Sequence, residues 1–523
     1  MLIRNLVVAV LCVAPSIACA APAAGEYFEV RVIDEATGRG VPMVELETVN
    51  NLKYITDSAG RVAFYEPGLM HQKVFFSAKS HGYELEKDMF GFAGRQIEVS
   101  PGGSGEIRMK RINIAERVYR VTGGGIYADT VMLGKPAPVA QPLLNAKVLG
   151  QDSVQPAVYK GRIYWFWGDT NRVSYPLGNF HTTGATSKLP SDGGLDPAVG
   201  IDLDYFKDGD LKDDAGFTKK MLPMPEGVPG PVWTDAVFVV KDESSNDGSG
   251  EKLVGHFSRM KDIGERLQRG IMVFDDDKQK FEEVTAVALD EPLGPQGQAI
   301  DKQVMVDGVA YQYFAHWGPA NIRVRADYKS AIDVSQYEAY TPLVQGTVFR
   351  GKETSLDRVD GRLVWGWKRN TGTLSCREQK ELIDAGVMTA EESPHYLRNV
   401  DDGSAVTIHS ASISYNEHRG RWTMIALEIG GSSVLGEVWY AEADAPEGPW
   451  TAGKKVVTHN KYSFYNPRQH SFFDAQGGRY IFFEGTFANS ISGTDTTTPR
   501  YEYNQVMYRL DVDDPRLKSI QGR

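Results

Sequence analysis

A recurring aromatic β-hairpin constrains this chain more than any other feature. Its clearest copy spans residues 151–169, QDSVQPAVYKGRIYWFWGD, with Asp152 near its mouth. A short apolar strand, 156–159, turns at Lys160-Gly161 into the aromatic strand 163–167. Ile300-Asp301 leads through Asp307-Gly308 to 310–314, and Glu353 leads through Asp360-Gly361 to 363–365. The segment 410–415 turns at Arg419-Gly420 into 422–425, and His470 leads through Gly477-Gly478 to 480–483. Trp233-Thr234-Asp235 opens a sixth copy, 236–240, with a longer charged turn before 252–257. Hairpins recurring about every 50 to 80 residues predict a β-propeller, whose blades are antiparallel sheets of about four strands. Outer strands are expected at 269–274, 322–326, 437–441 and 505–510, with a weaker one near 199–206. Five outer strands against six hairpins predict five or six blades.

The rest of the chain attaches to this repeat. Residues 1–20 read as an export signal: Arg4, an apolar run over 6–14, and an Ala18-Cys19-Ala20 cleavage site. The apolar run is too short for a membrane span, so a soluble periplasmic or secreted protein is expected. Over 26–112, Phe28, Val30 and Val32 alternate with polar residues, and Thr56–Gly60 is a turn into Val62-Ala63-Phe64. Val74-Phe75-Phe76 supplies a further strand, so 26–112 is expected to form a separable β-sandwich. Residues 113–145 read as a connector, with the glycine run 123–125 as a turn: it lacks the Lys-Ser/Thr of a phosphate loop. The propeller then occupies 146–515. Between 370 and 401 the strand period lapses, and Ser375-x-x-Glu378 and Thr389-x-x-Glu392 are capping boxes. Two short helices are expected there, forming a lid or rim. The fold class is therefore all-β, a sandwich followed by a propeller with a short helical insertion.

Charge and cysteine content narrow the partners. The formal net charge of −11 argues against nucleic acid or an anionic membrane surface. Cys12 and Cys19 fall within the signal, so Cys376 has no partner for an intrachain disulfide. No CxxC, HExxH or other close metal-ligand spacing occurs, and no cofactor is expected.

Two resemblances add to this reading. The strand–TGxGVP–strand–TDxxGxxxF pattern of 26–112 resembles the carboxypeptidase-regulatory or prealbumin-like sandwich, which implies an accessory module. Over roughly 150–512 the hairpins resemble five-bladed propeller glycosidases of the arabinanase/xylosidase type. Asp152 stands near that family's base position, although the usual Asp-Pro is missing. Trp233-Thr234-Asp235 resembles its Trp-Ala-Pro-Asp signature without the proline. Ile300-Asp301 to Tyr311 matches its third hairpin, Glu353 its fourth, and His470 its last, with Gln469 in place of glycine. The resemblance implies an inverting glycoside hydrolase with Asp152, Asp301 and Glu353 as the catalytic carboxylates. Asp169, Trp233, Asp235, Arg468 and His470 would contact the carbohydrate substrate, and a structural cation could sit near His470. A monomer is expected. Glu428 is the reserve acid if Glu353 belongs to an insertion and the 410–415 hairpin opens the fourth blade.

The chemistry fits those residue types. Glycoside hydrolysis needs one carboxylic acid to protonate the leaving oxygen and one carboxylate to activate water. Two other functions remain open on sequence. A polysaccharide lyase would use His181, His256, His316 and Tyr311, with Arg259 neutralising a uronate, and would leave an ultraviolet-absorbing product. A non-catalytic carbohydrate-binding or scaffold protein would release no reducing ends.

Overall fold

Two four-stranded sheets open the described part of the chain. In the computed structural model these are residues 22–520, without 177, 179, 208–214, 225–226 and 244–248. The expected export signal therefore lies outside the described residues. One sheet runs in the order Arg61–Phe64, Phe28–Asp34, Ser104–Arg111, Tyr83–Glu84; the other runs Lys53–Ile55, Glu45–Thr48, Lys73–Lys79, Gly94–Glu98. Phe28, Val30, Val32, Leu46, Phe64 and Phe76 fill a shared core. Between Val30 and Val32 the alternation delivers Arg31 to the other face, as the period of a half-buried strand requires. Glu29 is nevertheless buried, because Arg61 (2.8 Å) and Lys135 both pair with it.

Five further sheets of four or more strands follow, each built mainly from strands consecutive in sequence. The first is Gln155–Tyr159, Arg162–Trp167, Thr183–Lys188 and Asp204–Tyr205; the second is Val232–Lys241, Glu251–Met260, Arg266–Asp275 and Lys280–Val287. In the third, Gln298–Ala299 and Val304–Val306 both pair with Val309–Ala315, followed by Ala320–Arg325, Glu338–Thr341 and Gly366–Arg369. The fourth leads with Ile408–Asn416 and Arg421–Glu428, then Val438–Ala443 and Ala452–Val457. The fifth is Ser463–Gln469, Tyr480–Ala488, Asn504–Asp511 and, last, Glu116–Arg120. The expected connector thus contributes a strand: Glu116–Arg120 pairs antiparallel with Asn504–Asp511, across nearly the whole chain.

Each sheet packs on the next through its own apolar cluster. Phe166, Phe257 and Phe274 join the first two sheets, and Phe238, Phe314 and Ile322 join the second and third. Tyr313, Met424 and Trp439 join the third and fourth, and Ile425, Phe464 and Phe483 the fourth and fifth. Trp165, Trp167, Phe482 and Met507 then join the fifth back to the first. At roughly 1.5–3 kcal/mol for each large apolar side chain fully buried, these clusters are the main stabilising term.

Local turn chemistry was well predicted. Lys160-Gly161 (φ +48° and +74°) and Asp307-Gly308 (φ +48° and +80°) have left-handed backbone at both central positions, the conformation of two-residue hairpin turns. Ser375 caps the helix Cys376–Asp384, accepting from the Glu378 amide while Glu378 accepts from Ser375. The second expected helix is a single 3-10 turn, Ala390–Glu392. Asp360-Gly361 is also a two-residue turn, but it joins strands of only two residues, Arg358–Val359 and Arg362–Leu363, in a sheet of their own. Among the described residues no helix is long and apolar enough to cross a membrane.

Candidate functional site

The richest polar cluster begins where Val148–Gln151 pairs with Thr170–Arg172. Gln151 faces Thr170, and one step on the Asp152 amide donates to the Asp169 carbonyl at 3.2 Å. The Gly168 amide donates to the Asp152 carbonyl at 2.8 Å, so Gly168 and Asp169 together oppose Asp152. Asp152 Oδ1 would lie 2.3 Å from a Cβ at position 168, which explains the glycine there. Two acids at the mouth of one hairpin are thereby brought side by side, with Cβ atoms on the order of 5 Å apart.

Aromatic donors from other sheets hold the pair. Tyr465 Oη donates to Asp152 Oδ2 at 3.1 Å, and Tyr503 also bonds Asp152. Trp233 Nε1 donates to Asp169 Oδ1 at 2.8 Å. All five side chains are half-buried. Ser153 (φ +55°), Asn466 (φ +49°) and Tyr503 (φ +59°) adopt left-handed backbone around Asp152, and Asn466 Nδ2 donates to Ser153 Oγ at 2.8 Å. Such non-glycine conformations cost about 1–3 kcal/mol each and cluster at functional sites.

Both acids are raised, but not equally. Burial raises the Asp152 carboxyl, but hydrogen bonds from Tyr503 and Tyr465 favour its ionised form. Burial also raises Asp169, and the neighbouring Asp152 charge raises it further, against one donor, Trp233. Asp152 is thus raised to about 6 and Asp169 to about 7, so that Asp169 is the member that keeps its proton to higher pH. Beside Trp233, the strand opening at His181 meets Val232, and burial holds the His181 imidazole down to about 4.

The other expected site residues do not join this cluster. Asp301 accepts from Arg468 Nη2 at 2.6 Å and from the Ser471 amide at 3.1 Å, and Arg468 also bonds the Ala299 carbonyl. Arg468 is 2% exposed, so it closes a buried ion pair between sheets rather than presenting itself to substrate. Asp474 lies near this pair, its carboxyl pushed up to about 8 by burial and by the Asp301 charge. Asp235 sits on a bulge and accepts from Ser258 Oγ at 2.6 Å. His470 is fully buried: Nε2 meets Glu484 Oε1 at 2.8 Å, and Trp165 packs edge-on. Glu484 is the carboxyl group it meets in that enclosure. Among the described residues no group of three or more His, Cys, Asp or Glu is placed to hold a metal.

Glu353 stands apart from this cluster. It is exposed in a turn whose amide bonds the Arg350 carbonyl, and its segment belongs to an excursion from the third sheet. The fourth sheet opens at Ile408 instead, with His409 where an acid was expected. The reserve acid Glu428 ends the second strand of that sheet, accepts from Trp439 Nε1 at 2.8 Å and is raised by burial. The lyase set is dispersed as well: His256 is buried against Tyr337 Oη, and Tyr311 lies under Arg323. Tyr465 and Tyr503 were missed. Tyr465 opens an aromatic strand as Asp152 and Trp233 do, which was a usable signal; Tyr503 had none.

A scan against protein-family models finds no match, and a search of curated proteins finds none. Solved structures do align. An exo-beta-1,3-galactanase from Phanerochaete chrysosporium with galactose is 10% identical at TM-score 0.36, over 76% of this chain and 65% of that one. An exo-1,5-alpha-L-arabinanase from a bovine ruminal metagenomic library is 11% identical at TM-score 0.33, over 70% and 94%. The GH43_1 enzyme from Xanthomonas citri, complexed with xylotriose, is 12% identical at TM-score 0.31, over 69% and 86%. Likeness at this level transfers no residue role, and the chemistry of the site rests on its own side chains.

Proposed function

We propose that this chain is a glycoside hydrolase whose catalytic pair is Asp152 and Asp169. The observation that carries the reading is the side-by-side carboxyl pair, Asp169 raised above Asp152, ringed by Tyr465, Tyr503 and Trp233. Asp169 gives its proton to the leaving glycosidic oxygen as the bond to the anomeric carbon breaks. The Asp152 carboxylate oxygen bonds that carbon. Water, deprotonated by Asp169, then displaces Asp152 and restores both groups. This double displacement with retention works with carboxyls about 5–5.5 Å apart, whereas inversion needs about 6.5–9.5 Å between them to admit a water. The half-buried aromatics offer faces for sugar rings.

The five sheets fit the blades of a five-bladed propeller, closed by the pairing of Glu116–Arg120 with Asn504–Asp511. The two N-terminal sheets, with their shared core, suit a sandwich-type accessory domain. Export through residues 1–20 and a monomeric state complete the proposal, with carbohydrate as the partner. The test is a polysaccharide panel, including arabinan, xylan and β-1,3-galactan, assayed for new reducing ends and ultraviolet absorbance. Reducing ends without absorbance support hydrolysis. Absorbance points to a lyase, and binding without product to a scaffold.

A further inference from the structure

A second cleft, of about 700 Å³, opens between the third and fourth sheets beneath the helix Cys376–Asp384. Trp317, Phe349, Thr373, Arg377, Glu381 and His409 are among its lining residues. Trp317 is the unusual one. Its indole is 49% exposed, although nothing in local sequence forces a large aromatic ring into solvent. Its backbone is also left-handed, φ +47°, which a bulky side chain adopts only under constraint from its surroundings. The constraint is visible: the Cys376 amide donates to the Trp317 carbonyl at 3.0 Å, and Cys376 Sγ would meet a Cβ on Gly318 at 2.8 Å. The first turn of the helix therefore fixes the tryptophan in place.

The surroundings of the ring are equally specific. His409 and His316 meet it in T-shaped contacts, ring centroids 4.8 and 5.7 Å apart, and the tryptophan still leaves about half its surface exposed. His409 Nδ1 is buried without a hydrogen-bond partner. Burial keeps that imidazole neutral, so it can donate or accept toward a ligand. Arg377 and Glu381 are exposed at the rim, and Glu378 adds a second carboxylate. An indole face with hydrogen-bonding groups around it matches a pyranose or furanose ring, which is apolar on its faces and hydroxylated at its edge. Two carboxylates against one guanidinium disfavour a uronate or sulfated unit.

We infer that this cleft is a distal subsite for a neutral sugar unit of the substrate chain, with Trp317 as its stacking platform and His409 as a hydrogen-bonding partner. The inference rests on the glycoside hydrolase reading, because the ligand it names is that enzyme's glycan. It assigns the helical insertion a binding role.

The test uses the full chain, as wild type, Trp317→Gly and Trp317→Tyr. Binding of arabino-, xylo- and β-1,3-galacto-oligosaccharides of increasing length is measured by calorimetry, alongside hydrolysis of short aryl glycosides and long polymer. Trp317→Gly should weaken binding of the longer oligosaccharides about ten-fold or more, the order expected for loss of a central aromatic anchor. KM on polymer should rise to match, while aryl glycoside turnover stays unchanged and Trp317→Tyr restores most of the binding. The melting temperature of Trp317→Gly should hold or rise, since glycine relieves the left-handed backbone. Equal affinity of wild type and Trp317→Gly for every oligosaccharide would overturn the subsite, as would the absence of any oligosaccharide binding by wild type. Trp317-dependent binding by a wild type that hydrolyses nothing would leave the subsite standing and sink the catalytic reading instead.

Discussion

Asp152 and Asp169 are cross-strand neighbours, the amide of the first donating to the carbonyl of the second at 3.2 Å. That pairing turns two acids seventeen positions apart into one chemical unit. Tyrosines bond one member and a tryptophan the other, so the two carboxyls cannot titrate alike.

The roles follow from that asymmetry. Asp152→Asn and Asp169→Asn should each lower turnover of an activated substrate by about 10²–10⁴-fold, the usual contribution of one acid–base group. Both variants should melt within a few degrees of wild type, because burial of the charged carboxyl is unfavourable in each case. NMR of the first-formed product should show retention of anomeric configuration. Inversion would separate the true base from Asp152.

A second prediction concerns the pH profile. Tyr465→Phe removes a donor that favours ionised Asp152, so the Asp152 pKa rises and the acidic limb of kcat/KM moves to higher pH. Trp233→Phe removes the donor on Asp169, so that acid holds its proton longer and the alkaline limb moves to higher pH. Opposite limbs should thus move in the same direction. If both substitutions shift one limb alone, the acid and base assignments are wrong.

Asp301 should behave as a structural residue. Asp301→Ala leaves Arg468 buried and unpaired, which costs about 3–5 kcal/mol when one partner of a buried ion pair is removed. Denaturant unfolding should register that loss, while kcat per folded molecule stays within several-fold of wild type. Glu353→Gln, on an exposed turn, should change neither quantity.

These contrasts mark what the sequence made legible. Lys160-Gly161 and Asp307-Gly308 announced hairpins because their turn conformation is a local property of those residues. Ser375 and Glu378 announced a helix start for the same reason. Asp360-Gly361 carries an equally strong local signal, yet its strands stop after two residues, since a turn does not specify which sheet its arms will join. Glu353 therefore stands on an excursion rather than at the opening of the fourth sheet. The strand Glu116–Arg120 was read as a connector because its pairing with Asn504–Asp511 is made across the length of the chain, where local pattern is silent. Asp152 was found at a hairpin mouth, but its partner proved to be Asp169 at the end of the same hairpin, and Asp301 was already committed to Arg468.

The last prediction uses the buried pair His470 and Glu484, neither of which reaches solvent. Burial pushes Glu484 up from its ordinary 4.5 to about 8 and His470 well below its ordinary 6.5, so the folded pair is carboxylic acid beside neutral imidazole. Below pH 4.5 the unfolded chain protonates both groups and the folded one only Glu484, so this pair favours unfolding as pH falls. Between 4.5 and 6.5 each state binds one proton, on the imidazole when unfolded and on the carboxyl when folded, and the pair makes stability flat. From 6.5 to about 8 only the folded state still binds a proton, and stability falls as pH rises through the folded value. Glu484→Gln removes the carboxyl: its stability should climb to pH 6.5 and then stay level. The melting-temperature difference, variant minus wild type, should therefore grow between pH 4.5 and 8 and level off outside that range. A constant difference across pH 4.5–8 would show that Glu484 adds no proton to the folded protein in that range.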